Sequence, residues 1–415
     1  MTQQPADTLS LLYRAAQSFN SSLDLNTVLE NVLDEVVTAT RAERGFIMLR
    51  EANGELAFRV ARQIDLGRID SPDAQISHTV VRKVFMTGEP MLTHNAQEDE
   101  ALRSESVMLL GLRSVLCVPL QARHETLGVI YVDNRWKSGV FSKDALNLLV
   151  AIANTAATAI ENARLYALAV EKGRLERELQ VARDVQVSLI PRSTPSVAGW
   201  EFAAWWQPAR AVSGDFYDFI PRAGGELGLV IADVSDKGMP AALFMALSRS
   251  IVRASLTAAQ PLDAAISQAN RLISADATNG MFVTLAAVEL LANDGRIRFV
   301  NGGHNPPLVY HTGSGVFEPL ERTGILLGLD EDWPFTLGEA ALDSGDWLIL
   351  YTDGVTDATP DDDALFGLER LQAVIRLQAQ RPASEMVADL QYHIGRFTGA
   401  HPQFDDITLV VARRV

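Results

Sequence analysis

Four segments in the second half of this chain set an aspartate beside an apolar, strand-like run. GELGLVIADVSDKG is apolar up to Asp233, GDWLILYTDGVTDA up to Asp353, and FDDITLVVARRV begins with Asp405 and Asp406 before its apolar stretch. Asp215 follows Gly214 in AVSGDFYDFI. Carboxylates held on or beside rigid strands can converge on a cation with little residual motion. Hard divalent cations such as Mg²⁺ and Mn²⁺ take oxygen ligands, keep some waters and need only a few carboxylates each. Four acids, one backbone carbonyl and waters are enough for two such ions. A pair of ions can acidify a shared water and neutralise charge on a transferring phosphoryl group. Zinc fits poorly, because His304 in NGGHNPP is the one imidazole in a conspicuous motif and Cys117 is the single cysteine. SGD, DKG and TDG each add a glycine that permits a sharp turn or a close approach. Singly these are common turns; the ordered set is what points to a site.

The segments LQVARDVQVSLIP, AVSGDFYDF, IADVSDKGMPAALFMA, MFVTLAAVEL, NGGHNPPLVY, LILYTDGVTDA and FDDITLVVARR, in that order over about Leu179 to Val415, resemble the PPM superfamily (protein phosphatase type 2C-like), in its SpoIIE/RsbU branch. The resemblance implies an αββα sandwich with metals at one end. It implies that Asp233 bridges two divalent cations, Mn²⁺ or Mg²⁺, that the Val234 carbonyl reaches one of them, that Asp215, Asp353 and Asp405 complete the catalytic cluster, and that Asp406 supports it. A metal-activated water is then the expected nucleophile. Three positions depart from the family pattern: Ser213 stands in place of a glycine, Asp236 in place of another in the SGKG loop, and Asp357 in place of a glutamate. His304 is expected to stabilise a turn rather than move a proton. Lys237 is read equally as a phosphate contact and as a solvated loop residue. Trp200, Trp205, Trp206, Phe216 and Tyr217 are expected in the core, and PAALFMALSRSIVRASL is expected to form a packed helix after the metal loop.

The elements that must position this chemistry occupy 415 residues, which implies two domains and a connector. A net charge of −16 argues against nucleic acid or an anionic membrane as partner. No run reads as a signal peptide or a membrane span, and a single cysteine fits a reducing cytoplasm. Residues 1–22 form an N-terminal extension. Over 23–165, apolar residues at helical spacing from Leu25 to Val37, short β-type runs, a strand pair at Ser114 to Leu120 and Leu127 to Asp133, and an exit helix from Ser142 describe an α+β unit with one antiparallel sheet. LDLNTVLENVLDEVVTATRAERGFIML, ISHTVVRKVFMTGEPML and RSVLCVPLQARHETLGVIYVDN resemble a GAF domain, a sensor module, with its ligand unnamed by the sequence. Cys117, between Leu116 and Val118, reads as a small core residue.

Over 166–192 a heptad seam follows: Leu165, Leu168, Lys172, Leu175, Leu179, Ala182, Gln186 and Leu189. It suggests a coiled-coil homodimer, the alternative being a helix lying on its own phosphatase domain. Pro191 ends it, and 193–415 carry the phosphatase motifs. The reading is a signal-regulated protein serine/threonine phosphatase, with a phosphorylated STAS-domain protein as the substrate the resemblance implies and a small-molecule or protein signal at the GAF domain. A non-catalytic PPM scaffold, or a phosphatase acting on another phosphoprotein, is the alternative; a phosphodiesterase is disfavoured because His-Asp clusters are missing.

Overall fold

The computed structural model describes residues 4–65, 67, 69, 76–93, 113–123, 125–278, 280–291, 295–361 and 364–415. Its chain divides into two compact units, Met1–Leu175 and Glu176–Val415.

The first unit is built on one antiparallel sheet in the order β2-β1-β5-β4-β3, from β1 (Arg44–Arg50), β2 (Leu56–Gln63), β3 (Met91–Thr93), β4 (Ser114–Ala122) and β5 (Glu125–Asn134). Strand side chains alternate between faces, and here both faces are covered. Ile47, Leu49, Leu116, Val118, Ile130 and Val132 join one core with α1 (Gln4–Phe19), α2 (Leu25–Thr40) and the start of α4 (Lys143–Leu189). Phe46, Met48, Val115, Cys117, Val129 and Tyr131 join a second with α3 (His78–Thr87). The α2 stripe is buried as its spacing requires, and Asp24 caps the helix by accepting the Thr27 amide. Cys117 is fully buried and burial pushes its thiol up, which suits a packing role.

One charged pair lies inside this unit. Arg44 grips Asp133 bidentately, Nε to Oδ1 at 2.8 Å and a terminal nitrogen to Oδ2 at 2.6 Å, with both side chains almost wholly enclosed. Burial still pushes the Asp133 carboxyl above its ordinary range, against the pull of Arg44.

Helix α4 runs 47 residues without a break, so the exit helix and the linker expected as separate segments are one element. Leu165, Leu168 and Leu175 of the seam are exposed in the single chain. Gln186 is not a seam residue: it is 3% exposed and turned into the second unit, where the last turn of α4 packs on its own domain. Among the described residues no helix is long and apolar enough to cross a membrane.

The second unit stacks two antiparallel sheets between helices. One runs β13-β10-β9-β8-β7, the other β12-β11-β14-β15-β6. The strands are β6 (Trp200–Gln207), β7 (Phe216–Pro221), β8 (Leu227–Val234), β9 (Val283–Leu290), β10 (Arg296–Gly302), β11 (Leu308–His311), β12 (Val316–Pro319), β13 (Gly338–Ala341), β14 (Trp347–Tyr351) and β15 (Ile407–Arg414). Leu348, Leu350, Val410 and Ala412 point between the sheets, whereas Trp347, Ile349, Leu409 and Val411 point outward under α8 (Gly367–Gln378) and α9 (Ala383–Thr398). This double burial explains why Trp347–Leu350 and Leu409–Ala412 are apolar at consecutive positions. On the opposite side α5 (Met239–Thr257) and α6 (Leu262–Asp276) cover the first sheet. The order is αββα.

Removing Arg44 would strand a buried carboxylate. Arg44→Met is expected to lower the stability of the first unit by about 3–5 kcal/mol, and Arg44→Met/Asp133→Leu to recover much of that loss. Urea unfolding followed by circular dichroism tests this, and a single variant as stable as wild type would contradict it.

Candidate metal centre

Register decides where the acids meet. Phe216 pairs with Ala232, so Asp215 just before β7 and Asp233 near the end of β8 share one end of the first sheet. Tyr351 pairs with Leu409, so Asp353, which opens the short helix α7 (Asp353–Thr356), and Asp405 and Asp406 share the corresponding end of the second. Two threonines tie these ends together. Thr352 Oγ1 and Thr408 Oγ1 both donate to Asp215 Oδ2, at 2.7 and 2.6 Å.

The carboxyls repel one another in a partly dry space. Burial, then Asp233 and Asp406, push Asp215 well above the ordinary carboxylate range, against the two threonine bonds. Burial, then Asp353, push Asp233 up to about 7, against an opposing side-chain interaction with Asp215. Burial and Asp405 raise Asp353 as well, with Asp357 adding to the effect. Hard oxygen donors crowded in this way are of the chemical type that a divalent cation takes as ligands.

The remaining acids are engaged elsewhere. Asp406 Oδ1 accepts from Ala209 N at 2.7 Å, and its Oδ2 accepts from Ser213 Oγ at 2.7 Å and Gly214 N at 2.9 Å, which pins the loop that delivers Asp215. Asp405 Oδ2 pairs with Lys237 Nζ at 2.9 Å, and Lys237 lies 4.3 Å from the centre of the Phe404 ring. Lys237 is thus an exposed residue whose ammonium group is paired at the edge of the cluster. Among the described residues no group of three or more His, Cys, Asp or Glu side chains is arranged as a ready-made cage for an ion. Asp215, Asp233 and Asp353 crowd one another, while Lys237 holds Asp405 and the loop holds Asp406.

The departures from the family pattern have physical counterparts. Ser213 Oγ accepts the Asp215 amide at 3.0 Å in addition to bonding Asp406, a role glycine lacks. Asp236 adopts φ 71°, in the left-handed region that favours glycine and that aspartate tolerates better than most residues. The Asp357 amide bonds the Asp353 carbonyl at 2.7 Å. Two glycines are needed for contact. A Cβ on Gly354 would lie 1.9 Å from the Asp406 carbonyl oxygen, and one on Gly214 would lie 3.1 Å from that of Val234.

His304 is buried, and its Nδ1 bonds Thr284 Oγ1 at 2.8 Å, a hydroxyl that also reaches the Asp233 carbonyl at 3.4 Å. Burial pushes the ring down to about 4, so it is neutral; its Nε2 faces the Tyr351 backbone without a hydrogen bond of normal geometry. Trp200, Phe216 and Tyr217 are buried, with Trp205 and Trp206 partly so. Trp206 Nε1 donates to the Asp215 carbonyl at 3.0 Å.

Sequence reasoning missed Thr352, Thr408, Trp206 and the role of Gln186. The threonines did leave a signal, as hydroxyl residues inside otherwise apolar runs within two positions of an acid. Gln186 left none. Its Nε2 donates to the carbonyls of Ser213 and Ala242 at 2.9 and 3.2 Å, and its Oε1 accepts from Ser213 N at 3.0 Å.

Comparison with known proteins follows the same division. Residues 22–161 match the GAF domain model and residues 223–415 match Stage II sporulation protein E (SpoIIE). The chain is a GAF domain followed by a SpoIIE-family domain of the PPM class. Protein IcfG of Synechocystis sp. is 34% identical over 279 residues, covering 60% of this chain and 43% of IcfG. Phosphoserine phosphatase RsbU of Bacillus subtilis is 27% identical over 242 residues, covering 58% of this chain and 71% of RsbU. The chain therefore spans less than half of IcfG and about seven-tenths of RsbU. The SiaA-PP2C domain of Pseudomonas aeruginosa, 21% identical with a TM-score of 0.53, covers 59% of this chain and 98% of its own, and shares the fold of the SpoIIE-type unit.

Gln186→Ala would leave the Ser213 amide and two carbonyls unpaired, at a cost of about 1–3 kcal/mol for a buried group. Faster hydrogen exchange at Ser213 and Asp215 is expected, and unchanged protection there would refute the clamp.

Proposed function

We propose that the SpoIIE-type unit is a Mg²⁺- or Mn²⁺-dependent protein serine/threonine phosphatase that hydrolyses phosphoserine or phosphothreonine monoesters. The observation that carries this reading is the convergence of Asp215, Asp233 and Asp353 at one end of the sandwich, each carboxyl raised by burial and by its neighbours. Asp233, as the bridge, Asp215, Asp353 and Asp405, with the Val234 carbonyl, would hold two ions; Asp406 acts by fixing the Asp215 loop. Once bound, the cations supply charge neutralisation for the phosphoryl group and an acidified water as nucleophile. The protein's own part is positional. Thr352 and Thr408 orient Asp215, Gly354 lets the Asp353 turn approach β15, and Lys237 must release Asp405, which frees its ammonium group to meet the phosphate.

RsbU carries the name phosphoserine phosphatase, as does RsbP of Bacillus subtilis, 26% identical over 189 residues. By that likeness we place this protein in a partner-switching pathway, with a phosphorylated STAS-domain protein as substrate. The GAF domain supplies the input, from a small molecule or a protein. The exposed Leu165, Leu168 and Leu175 of α4 support a homodimer through that helix. The Lys237–Asp405 pair favours a second reading, a PPM domain that retains a partner without turnover.

Full-length protein assayed on p-nitrophenyl phosphate separates the two. Activity is expected to require Mn²⁺ or Mg²⁺, to vanish with chelator, and to fall by more than about a hundredfold in Asp233→Asn with an unchanged circular dichroism spectrum. Mn²⁺ should also raise the melting temperature of the wild type, since it binds the folded state alone, and raise that of Asp233→Asn less. Near-normal turnover by the variant would remove the proposed bridge, whereas a wild type inert at every metal concentration would leave the scaffold.

A further inference from the structure

A cavity of about 540 Å³ opens beside the carboxylates, and Gly354 and Asp405 line it together with residues of α9 and of the loop that follows. A phosphate group needs far less room; the volume is that of a site for a small organic ligand or a few residues of peptide. Its outer wall is α9, on which Gln391 and Gly395 lie four residues apart and therefore on the same face, both exposed.

Gly395 is the informative residue. Glycine inside a helix costs about 1 kcal/mol relative to alanine, so its presence one turn from the end of α9 calls for a reason. Packing does not supply one, because a Cβ there would meet nothing within 4 Å. What the missing side chain leaves is room in the cavity. The facing wall is held firm: Gln403 Nε2 donates to the carbonyls of Gln207 and Asp405 at 2.9 and 2.8 Å, and Gln207 Nε2 donates to Gln403 Oε1 at 2.7 Å. Most of the lining is uncharged, with amides that can both donate and accept, as peptide groups do. Asp357 and Asp405 add acidic oxygens on the side of the metal centre, with Lys237 offsetting the charge of Asp405.

We propose that this cavity receives the stretch of the substrate protein flanking its phosphoserine or phosphothreonine, and that it selects neutral or basic over acidic flanks. The proposal rests on the phosphatase reading above and extends it to substrate choice. Gly395 and Gln391 are then specificity determinants, distant from the reacting atoms.

The test uses full-length protein with Mn²⁺, phosphoserine peptides whose flanks are Lys/Ala-rich or Glu-rich, and p-nitrophenyl phosphate, which has no flank. Wild type should prefer the Lys/Ala-rich peptide to the Glu-rich one. Gly395→Leu, which improves the helix while filling the cavity, should lower the ratio of peptide to p-nitrophenyl phosphate kcat/KM by about tenfold, with the loss in KM. Gln391→Trp, filling it from the same face, should act in the same direction. A ratio unmoved by both variants, or equal use of the two peptides by wild type, overturns the cavity proposal while the phosphatase reading stands. No turnover of p-nitrophenyl phosphate by wild type overturns both.

Discussion

Like charges gathered in a partly dry space govern this molecule. Asp215, Asp233 and Asp353 come from two sheets and meet where solvent screens them poorly, so the fold must oppose their repulsion with something outside the cluster. Two buried sheets supply the rigidity. The strands that lead into the acids, β8 and β14, are buried along nearly their whole length, and that burial fixes the ends that carry the carboxylates.

Much of the local structure around the acids follows from that constraint. Thr352 and Thr408 satisfy one oxygen of Asp215, Asp406 spends both of its oxygens on the Ala209–Gly214 loop, and Lys237 balances Asp405. Each group removes charge or motion from the cluster without occupying its centre. The end of α4 enters the same network through Gln186, which bonds the loop before Asp215 and the start of α5. Helix α4 therefore finishes in hydrogen-bond contact with the loop that positions Asp215. Coupling along it would need two states of that contact.

Burial of charge is handled in two ways in this molecule. Arg44 and Asp133 neutralise each other in a closed, bidentate pair. The second unit has closed pairs of its own, Arg222 with Glu289 at 2.7 Å and Asp218 with Arg249 and Arg253, whereas its clustered strand-end acids have Lys237 at their edge. A closed pair suits a structural core, whereas an open excess of carboxylate suits a binding centre.

The strand-end acids and the stripe of α2 were legible in the sequence, because apolar periodicity and residue type are local properties, and the αββα order was legible as what the resemblance to the PPM superfamily implies. Heptad counting placed Gln186 in a seam, yet the same amide found three backbone partners 27 and 56 positions along the chain. Lys237, read equally as a phosphate contact and as a solvated loop residue, is exposed and meets Asp405, 168 positions away. Partner choice of this kind depends on antiparallel register and on which side of each strand a residue falls, neither of which the chain's order displays. By itself, the sequence determined which oxygens could serve a cation. Only the tertiary structure decided that all five acids press on one another while Lys237 pairs with Asp405 and the Ala209–Gly214 loop occupies Asp406, because electrostatic and hydrogen-bond partners are assigned by distance in space.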